Sequence, residues 1–266
     1  MLRPRIIPVM LLKGRGFYKT KQFRAPVYIG DPINTFRIFC EKEVDEIVVL
    51  DIEATNSGRG PRLDLIEDIA SECFMPMAYG GGVRTVEQAR SILRLGVEKI
   101  VLNSVAIEEP EIISRIADLA GSSSVVVSID AKKKMLGGYD TYIRGGTKKT
   151  GLDPVALAKQ AEQLGAGEIL INSIDRDGTM KGYDLVLIEQ VAKAVRVPVV
   201  ACGGCGSIDD LESALDASAS AAAAGSFFVF QGRHRAVLVS YPSAEELTQI
   251  AKRQQSSNHS SVSGRS

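Results

Sequence analysis

The chain has 266 residues, with 32 lysines and arginines against 32 aspartates and glutamates. That length suits one closed α/β barrel with its ring of helices and is short for two ordinary α/β domains. The even charge balance leaves no net field to draw the chain toward nucleic acid or an anionic membrane, so a small-molecule ligand is the expectation.

In chain order, the first apolar run is Ile6 to Leu12. It contains Pro8, is too short for a membrane span, and leads into Lys13 and Arg15 rather than a small-residue cleavage site. The reading is a cytoplasmic protein. Short apolar runs then alternate with longer segments of helical period, the order that gives parallel strands joined by helices. Strands are expected at 5–12, 46–52, 75–79, 99–103, 125–130, 168–173, 197–201 and 221–225. Between them, Val86, Ala89, Ile92 and Leu93 share one helical face, as do Ile112, Ile113, Ile116 and Leu119. Gly96, Gly121 and Gly165 stand where helices must stop, since glycine accepts the left-handed terminal conformation without steric cost. After the fifth strand, Lys132-Lys133-Lys134 and Lys148-Lys149 flank a glycine-rich insert from Gly137 to Gly146. It is either a mobile basic lid over the ligand or a solvated hairpin. The Ser-rich stretch 254–266 has too few apolar residues to offset its ordering entropy, so it reads as a disordered tail on a barrel spanning 1–253.

A repeat strengthens the barrel assignment. Residues 44–48 match 166–170, Pro76 matches Pro198, Gly81-Gly82 matches Gly203-Gly204, Thr85 matches Ser207, and Ser104 matches Ser226, all at an offset of 122. Two half-barrels explain this, because an open doubly wound sheet would not place matching glycine turns after its third and seventh strands. The expected fold is a (β/α)₈ barrel built from two half-barrel repeats.

In such barrels the residues just after each strand form the site. Gly81, Gly82, Asn103 and Ser104 make one cluster, and Gly203, Gly204, Gly225 and Ser226 its repeat mate. Each couples a turn whose N–H groups can close on an anion to a hydroxyl donor. Glycine that merely relieves crowding is the bland alternative, but two clusters related by the repeat favour a ligand with a phosphate at each end. Asp51, Asp130 and Asp177 each close a strand, and Lys19 lies in the first loop, within reach of an anion. Any of these carboxylates could be a cap or a loop ion pair. Asp130 ends the apolar run Val125-Val-Val-Ser-Ile129, where a carboxyl raised toward neutral pKa can shuttle protons.

Cys40, Cys73, Cys202 and Cys205 are too few for a disulfide scaffold. Cys202-Gly-Gly-Cys205 has the spacing of a redox or metal site, but no second pair accompanies it and the histidines are only His234 and His259. A closed zinc site needs four ligands, so no metal or other cofactor is expected. With both histidines beyond the eighth strand, no Ser, Cys or His combination suggests a nucleophilic triad.

Arg5-Ile-Ile-Pro8, Asp31-Pro32, Leu50-Asp51-Ile52, Gly80-Gly-Gly82, Asn103-Ser104, Ile129-Asp130-Ala131-Lys132 and Asp175-Arg-Asp-Gly-Thr179 together resemble the HisF family, the cyclase subunits of imidazole glycerol phosphate synthase, over residues 1 to about 230. The resemblance implies a barrel of the ribulose-phosphate-binding type that works as a lyase in a glutamine amidotransferase complex. It takes ammonia from a HisH-like glutaminase in a heterodimer and adds it to a ribulose-bearing bisphosphate during histidine biosynthesis. It also implies that Arg5, Glu46, Lys99 and Glu168 form a charged ring at the amino-terminal end, where ammonia enters; an ordinary buried ion-pair network is the alternative. By the same resemblance Lys19, Asp51 and Asp177 bind substrate and Asp130 is catalytic. The family's other acid–base aspartate, at the end of the first strand, is replaced by Leu11, and Asn172 and Gly145 stand where hydroxyl residues are expected.

That pattern, with Asp31-Pro-Ile-Asn34, 72–76 and 230–242, resembles HisF-like paralogues of lipopolysaccharide O-antigen clusters. The implied role is to channel ammonia for acetamidino-sugar formation, with a sugar amidotransferase as a further partner. The competing reading is a non-catalytic barrel that binds a phosphorylated ligand and activates the glutaminase.

Overall fold

A computed structural model describes residues 3–72 and 74–263, with side chains as far as 254. Eight parallel strands form its centre: β1 (Arg5–Lys13), β2 (Ile47–Asp51), β3 (Met77–Gly80), β4 (Lys99–Leu102), β5 (Val125–Lys133), β6 (Glu168–Ser173), β7 (Val199–Cys202) and β8 (Ala221–Ala224). They pair in sequence order, and β8 pairs back onto β1 from Arg5↔Ala221 to Pro8↔Ala224, which closes the cylinder. Helices α1 (Pro32–Glu41), α2 (Leu63–Ser71), α3 (Val86–Arg94), α4 (Ser104–Glu108), α5 (Glu111–Ala120), α6 (Pro154–Gln163), α7 (Leu185–Ala192), α8 (Ile208–Asp216) and α9 (Ala244–Ser263) lie between and after the strands. The expected (β/α)₈ barrel is what the chain forms.

The strands are apolar on both faces because both are buried. Ile7, Val9, Val48, Ala78, Val101, Val126, Leu170, Val200, Ala221 and Ala223 pack together inside the barrel. Their neighbours Ile6, Met10, Ile47, Val49, Tyr79, Ile100 and Val127 point outward against the helices, as the two-residue period requires. The barrel interior is thus lined by apolar side chains.

Two strands begin two residues later than expected. The sequence places the third at 75–79 and the seventh at 197–201, yet β3 starts at Met77 and β7 at Val199. Pro76 and Pro198 have no N–H to give the ladder; their carbonyls accept from Ile47 and Ile169 at 2.9 and 3.0 Å instead. The half-barrel repeat therefore extends to strand starts. It extends to helix starts too, because Thr85 and its mate Ser207 each close a capping box, with Gln88 and Asp210.

Two hairpins stand on the carboxyl-terminal rim. Gly16–Lys21 and Arg24–Gly30 pair antiparallel and extend β1, where the sequence suggested only a loop. The end of β5 pairs with Tyr139–Ile143, making the glycine-rich insert an ordered ribbon whose tip, Met135 and Leu136, is fully exposed. The stretch expected as a disordered tail from 254 instead continues α9 to Ser263. Serine, glutamine and asparagine cost a helix only tenths of a kcal/mol each, and Gln254 ties the helix to Asp216 of α8. Residues 264–266, and Cys73, lie outside the described residues.

Candidate active site at the carboxyl-terminal mouth

Residues at or near the carboxyl end of each strand reach one cavity of ≈ 320 Å³. Leu11, Leu50 and Gly80 line one side of it, and Asn103, Asp130, Asn172 and Cys202 the other. Neighbouring polar residues are in ladder register: Asn172 lies beside Asp130 on one side and Cys202 on the other. The mouth is therefore divided into an apolar and a polar half.

Asp130 is buried with its carboxylate facing the cavity. Burial, with the charge of Asp177 adding to it, raises its pKa to about 7, against the opposing hydrogen bond from Asn103. That is the range in which a carboxyl both gives and takes protons at neutral pH. Leu11, at the end of β1, lines the same cavity and offers no such group. Asp177 does not close a strand as its spacing suggested; it sits in the turn after β6, accepting from Thr20 Oγ1 at 2.9 Å and from Phe23 N–H at 3.3 Å. Lys19 lies on the first hairpin strand rather than in a loop, buried, donating to the Val9 carbonyl. Loss of hydration lowers its pKa to about 8. Asp51 lines the cavity but its oxygens are taken by its own loop: Oδ1 accepts from the N–H groups of Glu53 and Ala54 at 3.0 Å, and Oδ2 pairs with Arg59 at 3.0 Å. The loop ion pair that its sequence position left open is what the geometry shows.

Both glycine clusters line the cavity. Gly81 has φ +112°, and a Cβ there would lie 2.3 Å from the Asp51 carbonyl; its mate Gly203 has φ +89° and would meet Asn172 Oδ1 at 2.6 Å. Close packing alone thus demands glycine, and the same packing turns two side-chain-free loops toward the cavity. Ser104 and Ser226 are buried beside them. Asn103 lines the cavity with the first cluster, its Oδ1 accepting from Ser104 Oγ at 3.2 Å, and its amide donates to the Ser128 carbonyl at 3.0 Å and to Asp130 Oδ2 at 3.2 Å, so it also holds the carboxylate.

At the opposite end the four charged residues close a ring. Lys99 Nζ donates at 2.9 Å to Glu46 and to Glu168, and Arg5 bonds both glutamates from the other side. Glu46 and Glu168 are buried. Arg5, Lys99 and Glu168 belong to the parity of strand residues that faces the barrel interior, so the ring lies across its base.

Cys40, Cys202 and Cys205 are free thiols. Burial raises Cys202 strongly and pushes Cys205 up to about 12, which keeps both protonated and unreactive. Among the described residues no group of histidine, cysteine and carboxylate side chains is placed to hold a metal, and no helix is long and apolar enough to cross a membrane.

The sequence reading missed the cover that the first hairpin makes over the β6 turn, where Gln22 N–H donates to the Asp177 carbonyl at 2.9 Å. The Gly14-Arg-Gly16 turn directly after the first strand, followed by the strand-forming residues Phe17, Tyr18, Val27, Tyr28 and Ile29, was the available signal.

The family model described as "Histidine biosynthesis protein" matches residues 5–235. A Pseudomonas aeruginosa protein with the provisional name imidazole glycerol phosphate synthase subunit hisF2 is 51% identical over 248 residues, covering 93% of this chain and 99% of its own. A Vibrio vulnificus protein provisionally named hisF3 is 48% identical, covering 92% and 95%. The imidazole glycerol phosphate synthase subunit HisF of Symbiobacterium thermophilum is 41% identical, covering 88% and 92%. The chain belongs to the histidine-biosynthesis protein family, on the branch formed by the HisF-type subunits of imidazole glycerol phosphate synthase.

Proposed function

We propose that this HisF-type subunit receives ammonia from a HisH-like glutaminase docked at the Arg5–Glu46–Lys99–Glu168 ring and delivers it through the barrel to the cavity at the other end. The clusters around Gly81-Gly82 and Gly203-Gly204 hold the two phosphates of an elongated ligand, with Lys19 and Asp177 contacting its middle. Asp130 is the one remaining acid–base group. The observation that carries the reading is the pairing of a complete charged ring at one end with Leu11 opposite a titratable Asp130 at the other. Leucine cannot move a proton, and losing one of two acid–base groups takes roughly 10²–10⁴ from the rate. A subunit that keeps its entrance and loses half its chemistry suits passage of ammonia to another acceptor, here acetamidino-sugar formation for O-antigen with a sugar amidotransferase.

The test is direct. Purified protein with the ribulose-bearing bisphosphate and ammonium salt is expected to release carboxamide ribotide only slowly, and Leu11→Asp to raise that rate. Release at ordinary enzymatic rates from the unaltered chain overturns the conduit reading. A second reading rests on the same halved site: the barrel binds a phosphorylated ligand and activates the glutaminase without transforming it. It predicts glutaminase stimulation by the ligand with no ribotide release even from the Leu11→Asp variant.

A further inference from the structure

At the cavity rim one arginine is held in a backbone conformation that residues with a Cβ rarely adopt. Arg144 has φ +55°. Three hydrogen bonds fix it there: its N–H donates to Ser104 Oγ at 3.0 Å, and its carbonyl accepts from Asn56 Nδ2 at 3.2 Å and Thr147 Oγ1 at 2.7 Å. All three partners line the cavity, and Ser104 is the hydroxyl of the first glycine cluster. The backbone is thus built into the rim, while the side chain is turned aside onto Glu108, with Nε at 3.1 Å and Nη2 at 2.6 Å from the same oxygen, Oε1.

That ion pair is a weak one. Both donors share a single carboxylate oxygen rather than forming the two-oxygen fork that makes arginine–carboxylate pairs strong. Both side chains are also a third or more exposed, at 41% and 33%, where solvent screens the attraction. Glu108 itself lines the cavity, so an uncovered carboxylate there would repel an anion in the cluster beside it. Gly145, next in the chain, has φ +65°, and a Cβ there would lie 3.8 Å from Asn56 Nδ2; as glycine it puts no side chain in the way of the guanidinium.

We propose that Arg144 is a specificity-determining residue for the ligand's phosphate: its guanidinium leaves Glu108 for a phosphate monoester dianion seated at Gly82 and Ser104, and Glu108 is the internal competitor that sets the threshold. A carboxylate on the ligand, with one charge, gains little by displacing another carboxylate, whereas a dianion presenting several oxygens accepts the full fork. This rests on the reading of the glycine clusters as phosphate sites.

The experiment is calorimetric titration of the full chain with glycerol 3-phosphate, which samples both clusters. Arg144→Gln is expected to weaken one binding event about tenfold, the size of one lost charge-assisted hydrogen bond. Glu108→Gln is expected to tighten that same event several-fold, and the double variant to bind more tightly than Arg144→Gln, which leaves the Glu108 carboxylate uncovered, but more weakly than Glu108→Gln. The event at Gly203-Gly204 stays unchanged throughout. Two intact events indifferent to both substitutions overturn the role of Arg144 alone, as does Glu108→Gln weakening binding, the result of a merely structural pair. A wild-type chain that binds no glycerol 3-phosphate overturns the cluster reading and this one with it.

Discussion

At the scale of single residues, the site turns on what surrounds Asp130. Its native pKa of about 7 lies above the 3.8 of an unfolded chain, so between pH 4 and pH 7 the folded protein keeps a proton that the unfolded chain has released. Stability therefore falls as pH rises through that window, by up to about 4 kcal/mol at its upper end. Asp130→Asn is expected to raise the melting temperature by several degrees at pH 8 and to leave it nearly unchanged at pH 4, as followed by circular dichroism. Asp130 was legible in the sequence because an apolar strand delivers it into a mouth. The engagement of Asp51 with its own loop and of Asn103 with Asp130 was not, since a one-dimensional pattern gives a residue's position on a strand but not the competitor that takes its hydrogen bonds.

At the scale of elements, glycine turns and the charged ring make opposite demands. Gly81→Ala would force a Cβ to within 2.3 Å of the Asp51 carbonyl at a φ of +112°, at an expected cost of at least about 2 kcal/mol. Gly58→Ala, at φ +67° with open space around it, should cost about 1 kcal/mol; urea unfolding of the two variants compares them. In the ring, Lys99→Met leaves Glu46 and Glu168 with Arg5 alone, and an unbalanced buried charge is expected to lower stability by about 3–5 kcal/mol. The strands and the helix stops at Gly96, Gly121 and Gly165 were readable from periodicity and glycine placement. The late starts of β3 and β7 follow from Pro76 and Pro198, which were visible but outweighed by the apolar run around them.

At the scale of the whole molecule, a segment beyond the last strand packs back onto the start of the first. Tyr241 Oη donates to the Ile6 carbonyl at 2.7 Å and lies 3.2 Å from Asp45 Oδ2, while Leu247 and Ile250 of α9 are buried in the outer core. Truncation after 254 is expected to leave the melting temperature unchanged, and truncation before Tyr241 to lower it sharply; Tyr241→Phe alone should cost about 1 kcal/mol. The half-barrel architecture was legible from the 122-residue offset, because a repeat encodes topology directly. This C-terminal clasp has no repeat mate to announce it. The ring at the base has a consequence of its own: two cations and two anions alternate in a closed circuit, so the seal is electrically neutral, and the side chains packed above it inside the cylinder, Ile7, Val48, Val101, Val126 and Leu170, are apolar among the described residues. Arg5 is its most accessible member, with 30% of its side chain exposed, so the cheapest way to unlatch the floor is from outside, by a visitor that offers that guanidinium another oxygen. On the proposed reading, an idle barrel is expected to stay shut to stray solvent until a partner docks at its base.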